Sequence, residues 1–228
     1  MKTIGLIGGM SWESTALYYR ILNEETARRL GGLHSAPILM ESLDFAPIEG
    51  LQRAGNWEQA GDILAASARR LEMAGAGVIG LATNTMHIAA DRIAAGLGLP
   101  FLHIADPTSE ALLADGYETI GLLGTRFTLE MPFYKDRLAA AGLDVLVPEV
   151  DLTNLNGIIY EELVKGIIRN ASRQTYIRAI ELLAARGAQA VILGCTEIGM
   201  LIDDSVSPLP VFDTTDLHAR ALVAAALG

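Results

Sequence analysis

Along this chain, short runs of Ile, Leu and Val bounded by Gly or Pro alternate with longer stretches of helical period. Runs that are apolar throughout, with no polar residue at every second place, suit strands buried on both faces of a parallel sheet. The pattern predicts strands over residues 3–7, 38–42, 78–82, 101–102, 119–123, 144–148, 190–194 and 210–211. Between them it predicts helices over 12–30, 59–74, 85–95, 107–114, 128–141, 158–168, 173–186 and 215–227. Repeated strand-helix order with short links is the mark of an α/β architecture. Helix-end chemistry agrees: Ser11 and Asp106 stand where an N-cap belongs, Pro107 at the first helical position, and Gly75, Gly142 and Gly187 just past helix ends.

The pattern also repeats. Ile4-Gly5-Leu6-Ile7-Gly8 recurs 116 residues on as Ile120-Gly121-Leu122-Leu123-Gly124, and the stretch from Gly75 to Thr85 matches Gly187 to Glu197, 112 residues on. A single match would carry little, because every strand-helix unit of a parallel sheet favours Gly-Ala-x-x-Val-Ile-x-Gly. Two matches in the same order at nearly the same offset point to duplicated halves. The expected architecture is therefore two similar α/β domains with parallel sheets, residues 1–105 plus 212–228 and residues 106–211. With the halves related by a pseudo-twofold and the active site in the interdomain cleft, Thr83 would oppose Cys195.

Composition narrows the function. A chain of 228 residues that is 51% hydrophobic, with mean hydropathy +0.34, can bury a substantial core and is not disordered. Its formal charge of −10 and its lack of a Lys/Arg run give it no electrostatic footprint for nucleic acid. No uncharged apolar stretch approaches the roughly 18–20 residues that span a bilayer, so no membrane partner is expected. One cysteine cannot form an intramolecular disulfide, and MKTIGLIGGM has no apolar core of signal-peptide length; a cytoplasmic protein is expected.

In open parallel sheets, ligands bind beyond the carboxyl ends of strands, where loops and helix N-termini present free N–H groups. Three polar clusters fall at such ends: Gly8-Gly9-Met10-Ser11, Thr83-Asn84-Thr85-Met86-His87 and Cys195-Thr196-Glu197. Their short hydroxyl and amide groups suit a carboxylate. Gly5, Gly8 and Gly9 do not reproduce the G-x-G-x-x-G spacing of a dinucleotide site. A lone cysteine is commonly a buried small hydrophobe, but Cys195 follows a strand and opens an expected helix turn. The positive end of a helix there would lower its pKa and supply thiolate. His34, His103 and His218 form no metal-ligand spacing with Asp or Cys, so no metal is expected.

GLIGGMSWEST at residues 5–15, NTMH at 84–87, HIAD at 103–106 and GCTEIG at 194–199 resemble the aspartate/glutamate racemase family, and the resemblance runs along essentially the whole chain. It implies two α/β domains enclosing a small amino acid between two cysteines, without pyridoxal phosphate or any other cofactor, in a homodimer. The sequence departs from the commonest family pattern at Thr83, where most members carry Cys. Racemisation needs one group to take the α-proton and another to deliver a proton to the opposite face. A thiolate can do the first; a Thr hydroxyl is a far weaker acid. A Thr/Cys pair is similar to a subgroup that prefers L-aspartate and L-glutamate, which makes Cys195 the base toward the L-substrate and Thr83 the opposite-face donor.

Carried over by position, the resemblance places Met10, Ser11, Gln52, Asn84, Thr85 and Thr196 in the substrate pocket. Lys165 matches a basic residue that meets substrate carboxylate, although a solvated helix-end cation is its bland reading. Arg53, beside Gln52, is a second candidate for the distal carboxylate because a guanidinium can bind it in bidentate fashion. His87 is read as a structural polar residue, a donor to the carboxylate, or a group tuning Thr83. Glu197 would orient the Cys195 thiol or cap a helix. Two other readings compete: a single-Cys decarboxylase of the same superfamily, which needs an apolar aryl pocket, and a non-catalytic amino-acid binding module. Aspartate and glutamate differ by one methylene, a difference worth roughly 1–3 kcal/mol that no sequence pattern ranks.

Overall fold

Seven strands form two separate parallel sheets in the computed structural model, which describes residues 1–228. The chain divides into unit 1, Met1–Ile104 with Thr215–Gly228, and unit 2, Ala105–Thr214.

Unit 1 runs β1 (Ile4–Gly8), α1 (Trp12–Leu30), β2 (Ile38–Ser42), α2 (Phe45–Arg53), α3 (Trp57–Met73), β3 (Val78–Leu81) and α4 (Ala90–Ala94). Its sheet has the order β2-β1-β3, and Phe101 adds an isolated parallel bridge to Ile79. Alternating side chains of each strand enter different layers. Ile4, Leu6 and Val78 pack with Tyr18 and Leu22 of α1, whereas Ile7, Ile79 and Leu81 pack with Leu64, Ala68 and Leu71 of α3. Both faces of β1 and β3 are covered, which is why these two strands are apolar throughout, whereas the edge strand β2 ends in Glu41 and Ser42.

Unit 2 runs α5 (Ala105–Ala114), β4 (Thr119–Gly124), α6 (Arg126–Glu130), α7 (Pro132–Ala140), β5 (Asp144–Leu146), α8 (Leu152–Glu161), α9 (Asn170–Ala185), β6 (Ala190–Gly194) and β7 (Val211–Asp213). Its sheet order is β5-β4-β6-β7. Leu123, Val191 and Leu193 pack here against Leu155 and Ile159 of α8 and Tyr176, Ile180 and Leu183 of α9. The last helix, α10 (Thr214–Leu227), returns to unit 1, where Leu222 and Val223 join the layer of Tyr18 and Leu22. Each half thus sends the helix after its last strand position into the other unit: α5 follows the Phe101 bridge, and α10 follows β7.

The sequence repeat reappears in the strand register. Ile4 pairs with Val78 and Gly5 with Ile79; Ile120 pairs with Ala190 and Gly121 with Val191. The Ile79–Phe101 bridge has its counterpart in the Val191–Val211 pair. Ser11 caps α1 by accepting from the Ser14 N–H, and Gly75, Gly142 and Gly187 end their helices at φ of 99°, 100° and 100°.

Several expected elements differ. The helix expected at 107–114 starts at Ala105, so Asp106 lies inside its first turn and is not its N-cap. The stretch 128–141 is broken into α6 and α7 at Met131, which is extended at φ −82° and ψ 150° because Pro132 disfavours the helical conformation before it. Residues 85–95 form a 3-10 turn (Thr85–Ala89) followed by the short α4, and 101–102 hold only the bridge. Another 3-10 turn, Leu163–Lys165, ends the region expected to be helical to residue 168. Helix α2 is an addition to the expected elements, since it contains Pro47; the proline falls in the first turn, where its missing N–H has no intrahelical partner to lose. No helix is long and apolar enough to cross a membrane.

Candidate active site

Unit 1 gathers the first two polar clusters at the carboxyl ends of neighbouring strands. After β1 the chain turns through Gly9 at φ +93°, where a Cβ would collide with the Leu43 carbonyl oxygen, so no other residue fits. The Leu43 N–H donates to Gly8 O at 3.0 Å and the Gly9 N–H to Thr15 Oγ1 at 2.8 Å. Ser14 Oγ donates to Ala82 O at 3.4 Å, tying the first turn of α1 to the loop after β3. Met10, Ser11, Thr83, Asn84 and Thr85 are all buried there.

Gln52 and Arg53, adjacent on α2, part company. Gln52 is 3% exposed, and its Oε1 has no hydrogen-bond partner. An unpaired buried amide is costly unless a partner arrives, so Gln52 is a ready acceptor. The Arg53 side chain is 76% exposed and its guanidinium donates to Glu49. Arg53 is therefore not brought to the buried residues, because one step along a helix turns a side chain by about 100°.

His87, on the 3-10 turn after Thr83, is held at both ring nitrogens. The Ile104 N–H donates to Nε2 at 3.2 Å, which leaves the proton on Nδ1, and Nδ1–H donates to the Thr83 carbonyl at 2.7 Å. Burial pushes its pKa well below the usual histidine value, with His103 and His218 adding to the effect. Both ring nitrogens are thus engaged by the backbone, which suits the structural and Thr83-tuning readings of His87.

In unit 2, β6 delivers Cys195, Thr196 and Glu197, all buried. Glu197 Oε2 accepts from Cys195 Sγ at 3.0 Å and from Thr196 Oγ1 at 2.8 Å. The expected lowering of the thiol pKa is overturned. Burial, followed by the Glu197 charge and its hydrogen bond, pushes it well above the ordinary cysteine value. The chain continues from Glu197 into a three-residue 3-10 turn, Ile198–Met200, too short to offer the dipole of an α-helix. Cys195 rests as a thiol beside a proton acceptor. Lys165, at the end of its own 3-10 turn, is exposed and makes no ion pair.

Thr83 and Cys195 occupy equivalent places, each two residues beyond the strand pairs Ile7–Leu81 and Leu123–Leu193. Four residues further, His87 corresponds to Gly199, where a Cβ would meet Asp213 Oδ2 at 2.5 Å. Sequence reasoning misses Glu13, whose Oε2 is buried without a partner in the first turn of α1. A first-turn acid is so common a helix-dipole partner that only burial singles it out. No group of three or more His, Cys, Asp and Glu side chains is arranged to hold a metal ion.

Fold and strand ends together define an α/β protein of two parallel sheets built from a repeated half. A family model described as Asp/Glu/hydantoin racemase matches residues 7–222, and the chain belongs to this family of isomerases. It is similar over the full length of both chains to a Yersinia pestis protein assigned as an Asp/Glu racemase, at 50% identity and a TM-score of 0.93. A Pyrococcus horikoshii aspartate racemase homologue is 34% identical, with a TM-score of 0.86, again over the whole of both chains. The broad-specificity amino-acid racemase RacX of Bacillus subtilis is 24% identical over 154 residues, spanning 68% of this chain and 66% of RacX.

Proposed function

We propose that the protein is an amino-acid racemase that inverts L-aspartate and L-glutamate without pyridoxal phosphate or metal. The observation that carries this reading is the buried Cys195–Glu197 pair at the strand end equivalent to that of Thr83. Cys195 Sγ passes its proton to Glu197, and the thiolate takes the α-proton of the L-substrate. Thr83 Oγ1 then gives its proton to the opposite face of the carbanion and recovers one from solvent, while Glu197 releases to solvent the proton it took from Sγ. Met10, Ser11, Asn84, Thr85 and Thr196 line the substrate. Gln52 Oε1, lacking a partner, accepts from the ammonium group. Lys165 takes the distal carboxylate, since its ammonium is uncommitted while Arg53 is engaged by Glu49. The likeness to a protein described as an Asp/Glu racemase and to an aspartate racemase homologue supports an acidic substrate, and RacX shows that relatives of wider range exist. The same reading takes the protein as a homodimer acting in the cytoplasm.

The test is incubation of L-aspartate and L-glutamate in D₂O, followed by NMR and chiral chromatography. Deuterium should enter the α-position and the D-enantiomer should appear, with EDTA and added pyridoxal phosphate changing neither. Binding of either amino acid with no deuterium wash-in would make the protein a binding module. Release of CO₂ from an arylmalonate in place of exchange would make it a decarboxylase.

A further inference from the structure

His87 is not among the groups that touch substrate in this reading, yet it is fully enclosed in unit 1 and bonded to the residue proposed as proton donor. Its Nδ1–H holds the Thr83 carbonyl at 2.7 Å, and its Nε2 receives the N–H of Ile104, the last residue before the chain leaves unit 1. Three aromatic rings surround it: His103 at 4.5 Å between centroids, Phe101 at 5.7 Å and His218 at 5.9 Å. His218 is fixed in turn. A carbonyl can only accept, so its Nε2–H donates to Leu102 O at 3.0 Å, and the Tyr18 hydroxyl donates to its Nδ1 at 2.8 Å. The segment from Leu102 to Ile104 is thereby clamped to the loop after β3 on one side and to α10 on the other. Unit 2 has no such ring at the equivalent place, since Gly199 stands there.

We propose that His87 is a positioning residue for Thr83: as the neutral Nδ1–H tautomer, it fixes the Thr83 main chain and so aims the hydroxyl for the opposite-face proton transfer. The inference rests on the racemase reading above. It separates the two half-reactions, because the clamp reaches the loop of Thr83 and not the Cys195–Glu197 pair. An imidazole bonded at both nitrogens to backbone has one tautomer only, and a protonated ring would set a second donor against the Ile104 N–H.

Two variants divide the clamp. His87→Asn keeps an N–H near the place of Nδ1 and loses the acceptor for Ile104; His87→Gln reaches toward Ile104 and loses the donor to Thr83. Exchange of deuterium into L-aspartate and L-glutamate reports on Cys195, and appearance of the D-enantiomer reports on Thr83. His87→Gln should lower inversion by about tenfold or more, the effect of one lost hydrogen bond, while exchange changes by less than about threefold. His87→Asn should restore most of the inversion. A parallel fall of exchange and inversion, or unchanged inversion in His87→Gln, overturns the proposal. Should either variant fold poorly, long-range ¹H–¹⁵N correlation on the native protein decides the same point. The His87 ring should show a protonated Nδ1 and a bare Nε2 at neutral pH, unchanged down to pH values where exposed histidines are charged. An Nε2–H tautomer or an imidazolium would overturn it. Absence of any wash-in by the native protein would instead defeat the racemase reading, leaving the NMR result to stand by itself.

Discussion

The loop after β3 and the loop after β6 begin alike and end as opposites. Both leave an all-buried strand of the same register, and both place a small proton-bearing side chain two residues past the last shared pair. Beyond that point the β3 loop reads Thr83-Asn84-Thr85 with a neutral histidine bonded to its backbone, while the β6 loop reads Cys195-Thr196-Glu197 with a carboxylate bonded to the thiol. Thr85 stands where Glu197 stands in the other half. The repeat supplies geometry twice; in the proposed reaction two differences within it, Thr for Cys and Thr for Glu, decide which half acts as the base.

The largest expected effect tests that asymmetry on the Cys195 side. Cys195→Ala should reduce both exchange and inversion by about 10³–10⁴, because no other thiol exists to take the α-proton. Glu197→Gln should cost about 10² in exchange at neutral pH and change its pH dependence. In the proposed reaction the thiol proton passes to Glu197 before the α-proton is taken, so exchange should be flat around neutrality. Without the carboxylate, burial still holds the thiol pKa high, and thiolate must form by losing a proton to solvent; the logarithm of the rate should then climb with pH at unit slope. A flat profile in Glu197→Gln would remove Glu197 from the proton path.

A second contrast concerns how each unit holds the helix it receives from the other half. In unit 1, Glu25 of α1 accepts from Arg28, Arg29 and, on the returned α10, Arg220; its side chain is 1% exposed. The Arg28 hydrogen bond first, then those of its neighbours, holds the Glu25 pKa down to about 2 against a buried carboxylate's upward tendency. In unit 2, α5 is joined to α7 by the Asp106–Arg137 pair, both partners over a third exposed. Glu25→Gln should cost up to about 3 kcal/mol at pH 7, reduced by the water around the guanidinium groups. Asp106→Asn should cost less than about 1 kcal/mol. Because the folded pKa of Glu25 is depressed, its contribution is complete above about pH 4.5 and fades as pH falls toward 2. Denaturant midpoints at pH 7 and pH 3 check both: the Glu25→Gln deficit should shrink in acid, and the two variants should not be equivalent at pH 7.

The strands, their parallel sense and the repeat were legible because burial on both faces writes itself as unbroken Ile, Leu and Val. Helix ends were legible where a local residue sets them, as at Ser11 and Gly75, and illegible where a proline interrupts, as at Met131. The state of the thiol escapes the sequence because Gly194 to Gly199 suits an α-helix or a 3-10 turn equally well, and it is the 3-10 turn that accompanies Glu197 folding back on Sγ. Gln52 and Arg53 could not be separated in sequence because neighbours on a helix face different ways, and the bonding of His87 depends on Ile104, 17 residues away.

The smallest expected effect on the reaction is the most direct on the comparison, since it makes the two loops more alike. An enzyme cannot alter the equilibrium constant of a racemisation, which is near one, so kcat/KM for L-to-D and D-to-L conversion must match however unequal the two groups are. What inequality permits is fast removal and return of the proton on one face. Deuterium exchange into L-substrate by Cys195 should therefore outrun inversion, with Thr83 the slow partner. Thr83→Cys should raise inversion and narrow the gap, and exchange into D-substrate should become measurable. The gain should be only several-fold, about 1 kcal/mol, because Thr85 stands at the position in the repeat that Glu197 takes beside Cys195, so the new thiol lacks that carboxylate partner. Equal exchange and inversion in the native protein, or an unchanged ratio in Thr83→Cys, would leave Thr83 as a hydroxyl lining the substrate and make the two strand ends alike in form alone.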